Sequence, residues 1–235
     1  MHQEEYNDRA ECMMKFDEKI FNKKVVIFME FIIFNIYGLL TVLLPAILAF
    51  AIFCKIEKRN GKLTSLRHFL MICIIGIYIY VIFHFTSTAT IYDVLRFGTE
   101  HSGQYNLLPF SNDINMMEYL FNVFLFIPFG FLLPLIWTHM SKLIYIILYS
   151  ISFSLLIEVS QLFNRRHTDI DDLIMNTIGG LLGYLTYKLF SHFIKGSYRR
   201  LDYTKYEPLI YISVMFMGRF FLYNELRIAS IIWGF

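Results

Sequence analysis

One stretch of the chain, residues 153–184, concentrates acidic, amide and arginine side chains between two apolar runs. The first run reads FSLLIEVSQLF, and within it Ser154, Glu158 and Gln161 have the spacing i, i+4, i+7. Residues at that spacing share one face of a helix, so these polar side chains should point in one direction. A carboxylate on an otherwise apolar helix is costly to bury, and this makes the face a candidate functional site.

A second polar set opens the next apolar run, which reads DIDDLIMNTIGGLLGY. Asp169, Asp172 and Asn176 have the spacing i, i+3, i+7, which predicts a second polar helix face. Because acids are favoured at a helix N-terminus, Asp169 or Thr168 could be the N-cap of this helix. Capping and ligand binding therefore both stay open for any one acid. Capping alone does not explain three acids within four residues.

Glu158 lies about one helical turn from the polar link that joins the two runs. A carboxylate at the centre of a membrane costs about 2.5–3.5 kcal/mol on insertion scales, so Glu158 should face the protein interior and have a partner. Arg165 and Arg166 are nearby candidates for that partner. A structural ion pair and a binding role are both compatible with this pattern.

Asn122 lies early in another apolar run, NVFLFIPFGFLLP. Its amide would either bond to a backbone carbonyl of a facing helix or join the same polar set. Carboxylates, amides and arginines together can bind a headgroup, with arginine contacting phosphate or carboxylate. The carboxylates could instead hold a divalent cation or act as general acid and base.

The rest of the chain forms an apolar frame around these residues. Of the 235 residues, 57% are hydrophobic and 17% are charged, and the apolar residues come in long unbroken runs. Runs of about 20 residues match a bilayer core of about 30 Å, and only a helix satisfies its own backbone polar groups there. The sequence therefore predicts an all-α, polytopic transmembrane helical bundle with about five to six spans.

The apolar runs place the spans and the domain boundaries. We expect spans at residues 25–54, 68–88, 120–137, 143–163 and 173–194, and a marginal sixth span at 209–223. The predicted regions are a charged N-terminal tail at 1–24, an extra membrane segment with a basic loop at 25–60, a membrane domain at 68–194, and a basic loop with a C-terminal membrane-associated segment at 195–235. The Gly179-xxx-Gly183 pair predicts that another helix approaches closely.

The lysines and arginines beside the spans predict an orientation. The loops at 55–67 and 195–207 are basic, so the positive-inside rule places them in the cytoplasm. The connections at 89–119 and 164–172 then face outward. The N-terminal tail carries lysines of its own, which conflicts with one crossing of the first segment and leaves the orientation of that segment open.

Several functional classes have no support in the sequence. Cys12, Cys54 and Cys73 form no CxxC pair, so we predict neither a disulfide framework nor a zinc site. His84 and His139 lie in or beside spans without the spacing of metal ligands. No protease, hydrolase, phosphate-loop or nucleic-acid-binding motif occurs, and no inverted repeat indicates a transporter.

Four motifs together resemble the VanZ-like family. They are NLLPF at 106–110, NVFLFIPFGFLLP at 122–134, SLLIEVSQLF at 154–163 and RHTDIDDLIMNTIGGLLGY at 166–184, and the resemblance covers roughly residues 68–190. It implies a multi-pass protein of the bacterial cytoplasmic membrane, in a family whose namesake is linked to teicoplanin resistance. The family's polar positions fall on Asn122, Glu158, Gln161, Arg166, Asp169, Asp172 and Asn176, which become the ligand-binding candidates.

The resemblance and the charge pattern together indicate a cell-envelope protein with an outward polar pocket. Its expected partners are membrane lipids, a lipid-linked cell-wall precursor or a lipophilic glycopeptide, and binding could lower teicoplanin susceptibility. The alternatives are a membrane enzyme acting on a lipid-phosphate or polyprenyl-linked substrate, and a purely structural polar cluster. No cofactor is predicted, apart from the divalent cation that the carboxylates could hold.

Overall fold

The computed structural model describes residues 2–59, 65–98, 105–111, 115–164, 166, 168–193 and 204–233. Its elements in chain order are α1 (His2–Arg59), α2 (Leu66–Phe85), α3 (Ile91–Phe97), β1 (Tyr105–Asn106), α4 (Met116–Ile136), α5 (Leu143–Gln161), β2 (Thr168–Asp169), α6 (Ile170–Phe193), α7 (Glu207–Leu222) and α8 (Glu225–Trp233). The chain divides into two compact units, Met1–Gly38 with Asn224–Phe235, and Leu39–Tyr223. The predicted site residues all belong to the second unit.

The all-α, membrane-type architecture is confirmed. Among the described residues, four helical segments are long and apolar enough to cross a membrane: Lys24–Arg59, Leu66–Phe85, Met116–Ile136 and Leu143–Asn164. α6 has 24 residues, but its glycines, tyrosines, Asn176 and Thr177 make it less apolar than these four. α7 has only 16 residues, which agrees with the prediction that a sixth span at 209–223 would be marginal. The count of five to six spans is therefore approximate.

α4 and α6 pack with their backbones in close contact, as the glycine spacing predicts. A Cβ atom on Gly183 would lie 1.9 Å from the carbonyl oxygen of Ile127, and one on Gly180 would crowd Ser150 of α5. Conversely, a Cβ atom on Gly130 of α4 would lie 1.9 Å from the carbonyl oxygen of Gly180. Glycine at these positions removes the side chain that would hold the helices apart, so α6 can sit against both α4 and α5.

An aromatic cluster joins α2, α4 and α5 in the core of the second unit. The rings of Phe129 and Phe153 stack with centroids 5.0 Å apart, and Phe83 and Phe126 lie within 6.0 Å of Phe153. All four side chains are buried. Large aromatic side chains bury much apolar area, so this cluster gives a rigid base to the polar residues that begin at the neighbouring Ser154.

The long polar connection between α2 and α4 contains two regular elements among its described residues. It contains α3, which begins with a capping box in which Thr90 and Asp93 exchange hydrogen bonds. It also contains β1, which pairs in parallel with β2 so that Asn106 lies opposite Asp169. This pairing brings residues 105–111 beside the start of α6.

Candidate functional site

The polar residues gather at the end of the unit where α2 and α5 finish and where α4 and α6 begin. The amide nitrogen of Gln161, at the end of α5, donates to the carbonyl of Thr86, which follows α2, over 2.7 Å. The side chain of Asn122 in α4 donates to Asp172 in α6. Four helix ends therefore contribute to one site.

Glu158 is a buried carboxylate on α5, with 4% of its surface exposed. Its Oε2 accepts a hydrogen bond of 3.3 Å from the backbone N–H of Asp169, and its own carbonyl accepts one of 3.1 Å from the Thr168 hydroxyl. Within the described part of the chain, no lysine or arginine nitrogen lies at salt-bridge distance from Glu158. Arg166, one of the two predicted partners, contacts the Thr86 carbonyl instead, and the backbone N–H of Asp169 bonds to the Glu158 carboxylate. Arg165, the other predicted partner, lies outside the described residues.

Asp172 faces α4 from the first turn of α6. The amide of Asn122 donates to its Oδ1, so Asn122 joins the polar set instead of bonding to a backbone carbonyl. Asp172 precedes the apolar stretch of α6 and lies outside the four candidate spans. Burial is the main cause that raises the pKa of its carboxyl group to about 6; the charges of Asp169 and Glu118 act in the same direction, and the hydrogen bond from Asn122 opposes them.

Asp169 caps α6. Its Oδ1 accepts a hydrogen bond of 2.9 Å from the backbone N–H of Asp171, the second residue of the helix, as an N-cap does. Its carboxylate also lies 3.3 Å and 3.4 Å from the amide nitrogen of Asn106 on β1. Asp169 therefore has a structural role at the helix start, in addition to its position beside Glu158 and Asp172.

Asp171 is a buried residue that the sequence analysis did not select. Its two carboxylate oxygens accept hydrogen bonds of 3.0 Å and 3.2 Å from the backbone N–H of Phe110, and the hydroxyl of Tyr119 donates to Oδ2. Phe110 has a left-handed backbone conformation with φ 57°. Asp171 thus holds the NLLPF loop against α6. The DIDD run was the sequence feature that could have pointed to Asp171. Its hydrogen-bond partners, Phe110 and Tyr119, lie more than fifty positions earlier in the chain.

Asn176 lies one helical turn deeper than Asp172. Its Nδ2 donates to the hydroxyl of Ser154 over 2.9 Å, and both side chains are buried. The predicted polar faces of α5 and α6 therefore meet. The side-chain oxygen of Asn176 is buried and accepts no hydrogen bond.

Arg166, Gln161 and Asn164 turn toward the chain that follows α2. Nη1 of Arg166 donates to the Thr86 carbonyl over 3.0 Å, the same oxygen that Gln161 contacts. Nδ2 of Asn164 donates to the carbonyl of Ser87 over 2.7 Å. Arg166 is exposed and lies at the rim of the site, while Gln161 is buried.

The described site carries more negative than positive charge. Its acids are Glu118, Glu158, Asp169, Asp171 and Asp172, against the guanidinium of Arg166. Over the ranges that the structure describes, no group of three or more His, Cys, Asp or Glu side chains is arranged to hold a metal ion. The site is therefore an acidic, acceptor-rich cluster at the end of a membrane-type bundle.

The fold and composition define a polytopic helical membrane protein. The VanZ/LLP1 family profile matches residues 69–191. Protein VanZ of Enterococcus faecium is 30% identical over 141 residues, which make up 58% of this chain and 82% of that protein. The chain therefore belongs to the VanZ/LLP1 family, as its motifs predict. No solved structure matches it.

Proposed function

We propose that this protein binds the headgroup of a membrane lipid, a lipid-linked wall precursor or a lipoglycopeptide at the candidate site. The observation that carries the proposal is Glu158, a carboxylate buried on an apolar helix with a backbone N–H as its hydrogen-bond partner and no ion pair among the described residues. Such an arrangement is costly unless a ligand compensates it. Asp172 lies on the facing helix and adds a second acceptor.

The proposed setting is the outer face of the bacterial cytoplasmic membrane. The site lies at the end of the bundle opposite the start of α2 and α7, where the buried pair His68 and Glu207 joins these two helices with 2.5 Å between Nε2 and Oε1. The basic loops at 55–67 and 195–207 adjoin that opposite end. The positive-inside rule supports a cytoplasmic position for them and an outward position for the site.

Lowered susceptibility to teicoplanin is the finer part of the proposal, and the family resemblance supports it. Expression of the protein in a susceptible strain should raise the tolerated teicoplanin concentration. Glu158→Gln and Asp172→Asn should each abolish that gain at equal protein level in the membrane. Glu225→Gln is the matched control, because Glu225 is exposed and belongs to the other compact unit. If both site variants give the same teicoplanin tolerance as the wild type, this site is not the cause of the raised tolerance.

A membrane enzyme acting on a lipid-phosphate or polyprenyl-linked substrate is the second candidate. It is favoured by Asp172, because a carboxyl group whose pKa is about 6 is suited to exchange protons near neutral pH. Purified protein should then convert such a lipid to a product in detergent, and Asp172→Asn should stop the conversion. If the purified protein retains the lipid but forms no product, the result supports binding and contradicts catalysis.

A further inference from the structure

We propose that the ligand of this site is an amphiphile that presents a primary ammonium group, which the carboxylates and amide oxygens of α5 and α6 accept. The inference rests on the proposed headgroup binding and names the chemistry of that headgroup. It goes against the initial expectation that arginine contacts a phosphate or carboxylate of the ligand.

Two amide oxygens at the site are buried and lack a donor. Oδ1 of Asn176 and Oε1 of Gln161 accept no hydrogen bond, although these side chains are only 2% and 7% exposed. An acceptor left in this state costs about 1–3 kcal/mol, so a donor from a ligand would be stabilised there. Asn176 bonds to Ser154, one turn before Glu158, and follows Asp172 by one turn. The Asn176 side chain therefore lies between the two helices that carry the carboxylates.

The amide nitrogens of the site already face protein acceptors. Asn122 donates to Asp172, Asn176 donates to Ser154, and Gln161 donates to the Thr86 carbonyl. Each of these amide nitrogens thus uses one of its two N–H donors within the protein, whereas the oxygens of Asn176 and Gln161 are buried without any donor. An anionic group entering between Glu158 and Asp172 would also meet like charge, which disfavours a phosphate at this position.

A primary ammonium group complements these acceptors. It carries three N–H donors and a positive charge in one small group. It would compensate the buried carboxylate of Glu158, which has no ion-pair partner among the described residues.

The NLLPF loop indicates that the ammonium group belongs to an amphiphile. Leu107, Leu108 and Phe110 are 66%, 70% and 53% exposed. Asp171 holds this loop against α6 through the N–H of Phe110, so the apolar side chains lie beside the acidic site. A ligand with a cationic head and an acyl chain could contact both surfaces at once, whereas a free amine would contact only one.

The test is binding of short-chain lipids with identical acyl chains to the full-length protein in detergent, followed by native mass spectrometry. Phosphatidylethanolamine has an ammonium group with N–H donors, phosphatidylcholine has a cation without them, and phosphatidylglycerol has neither a cation nor an amine. We expect at least tenfold tighter binding of phosphatidylethanolamine than of the other two lipids. Ethylamine should compete weakly, because it lacks the acyl chain.

Site variants connect this preference to the structure. Asp172→Asn should lower phosphatidylethanolamine binding about tenfold and leave phosphatidylcholine binding unchanged, and Glu225→Gln should change neither. Glu158→Gln should act like Asp172→Asn, and Glu158→Asp, which keeps the charge, should restore part of the binding. Size-exclusion profiles identify any variant that does not fold; Asp172 is only partly buried and so provides the more tolerant position.

The outcomes separate this inference from the proposed function. If the protein prefers phosphatidylglycerol and this preference depends on Glu158 and Asp172, the ammonium assignment is wrong. The proposal that the site binds a headgroup then still stands. If ethylamine binds as tightly as phosphatidylethanolamine, the ligand need not be an amphiphile, but the assignment of an ammonium group stands. If the Glu158 and Asp172 variants bind lipid as tightly as the wild type, the lipid does not bind at this site.

Discussion

At the scale of single residues, the protein places carboxylates where donors from the backbone and from amides replace cations. Glu158 accepts from the N–H of Asp169, and Asp172 accepts from Asn122. Neither acid is neutralised by an ion pair within the described residues. A site of this kind presents carboxylate oxygens without a cation, and the fold must bear the cost of burying these groups.

The titration of Asp172 should make stability depend on pH. Its pKa rises from 3.8 to about 6 in the folded protein, chiefly because of burial, so the folded state binds more protons than the unfolded state between these values. The resulting stabilisation is complete below about pH 4 and is lost as the pH rises through 6. Over that range we expect unfolding free energy to fall by no more than about 3 kcal/mol.

The measurement is the thermal unfolding midpoint of the protein in detergent, at several values between pH 4 and pH 7. Asp172→Asn should flatten the profile relative to the wild type, since asparagine does not titrate. Glu225→Gln corrects for a general effect of removing one acid. Parallel profiles for the wild type and Asp172→Asn would mean that Asp172 has an ordinary pKa.

At the scale of elements, the site depends on how closely α6 approaches α4 and α5. The hydrogen bond between Asn122 and Asp172 crosses the α4–α6 contact, and the bond between Ser154 and Asn176 crosses the α5–α6 contact. Gly130, Gly180 and Gly183 permit this spacing, because a Cβ at each would collide with backbone or with Ser150. Small residues in one part of the helix thus position polar residues in another.

Gly183→Ala should destabilise the protein by about 1–3 kcal/mol, because backbone has to move to admit the new methyl group. Its thermal unfolding midpoint should drop. Gly76→Ala is the matched control: its Cβ would first meet the flexible end of Leu43, at 2.7 Å, and a side chain can rotate away. A larger loss for Gly76→Ala than for Gly183→Ala would show that the α4–α6 contact is less close than described.

Across the whole molecule, the acidic site lies at the end of the second unit opposite the starts of α2 and α7, each of which follows a basic stretch of sequence. α2 and α5 run toward the site, and α4 and α6 run away from it, so the connections alternate between the two ends. Charge asymmetry of this kind orients membrane proteins during insertion. Orientation therefore decides whether the proposed site faces the outer or the inner leaflet.

Cysteine labelling in intact cells measures this orientation. In a variant without native cysteines, Leu108→Cys should react with a membrane-impermeant maleimide added outside, because Leu108 is exposed in the loop beside the site. Lys205→Cys, in the basic loop before α7, should react only after the membrane is permeabilised. The reverse pattern would place the site in the cytoplasm and remove outward binding from the proposal.

The helical membrane architecture, the family and the polar helix faces could all be predicted from the amino-acid sequence. These features arise from local patterns: runs of apolar residues match the bilayer, and residues three, four or seven positions apart share a face of a helix. The face formed by Ser154, Glu158 and Gln161 and an N-cap at Asp169 or Thr168 follow from residues close together in the chain, and the hydrogen bond from Asp171 identifies Asp169 as the cap.

The partners of these residues, in contrast, depend on how the chain folds in three dimensions. Asp171 contacts Phe110 and Tyr119, Asn122 contacts Asp172, and Arg166 contacts the Thr86 carbonyl instead of a carboxylate. Each pair is separated by fifty or more positions, and such contacts depend on how helices pack and on the pairing of β1 with β2. The period of a helix specifies the direction of a side chain, but the neighbouring element specifies what it meets.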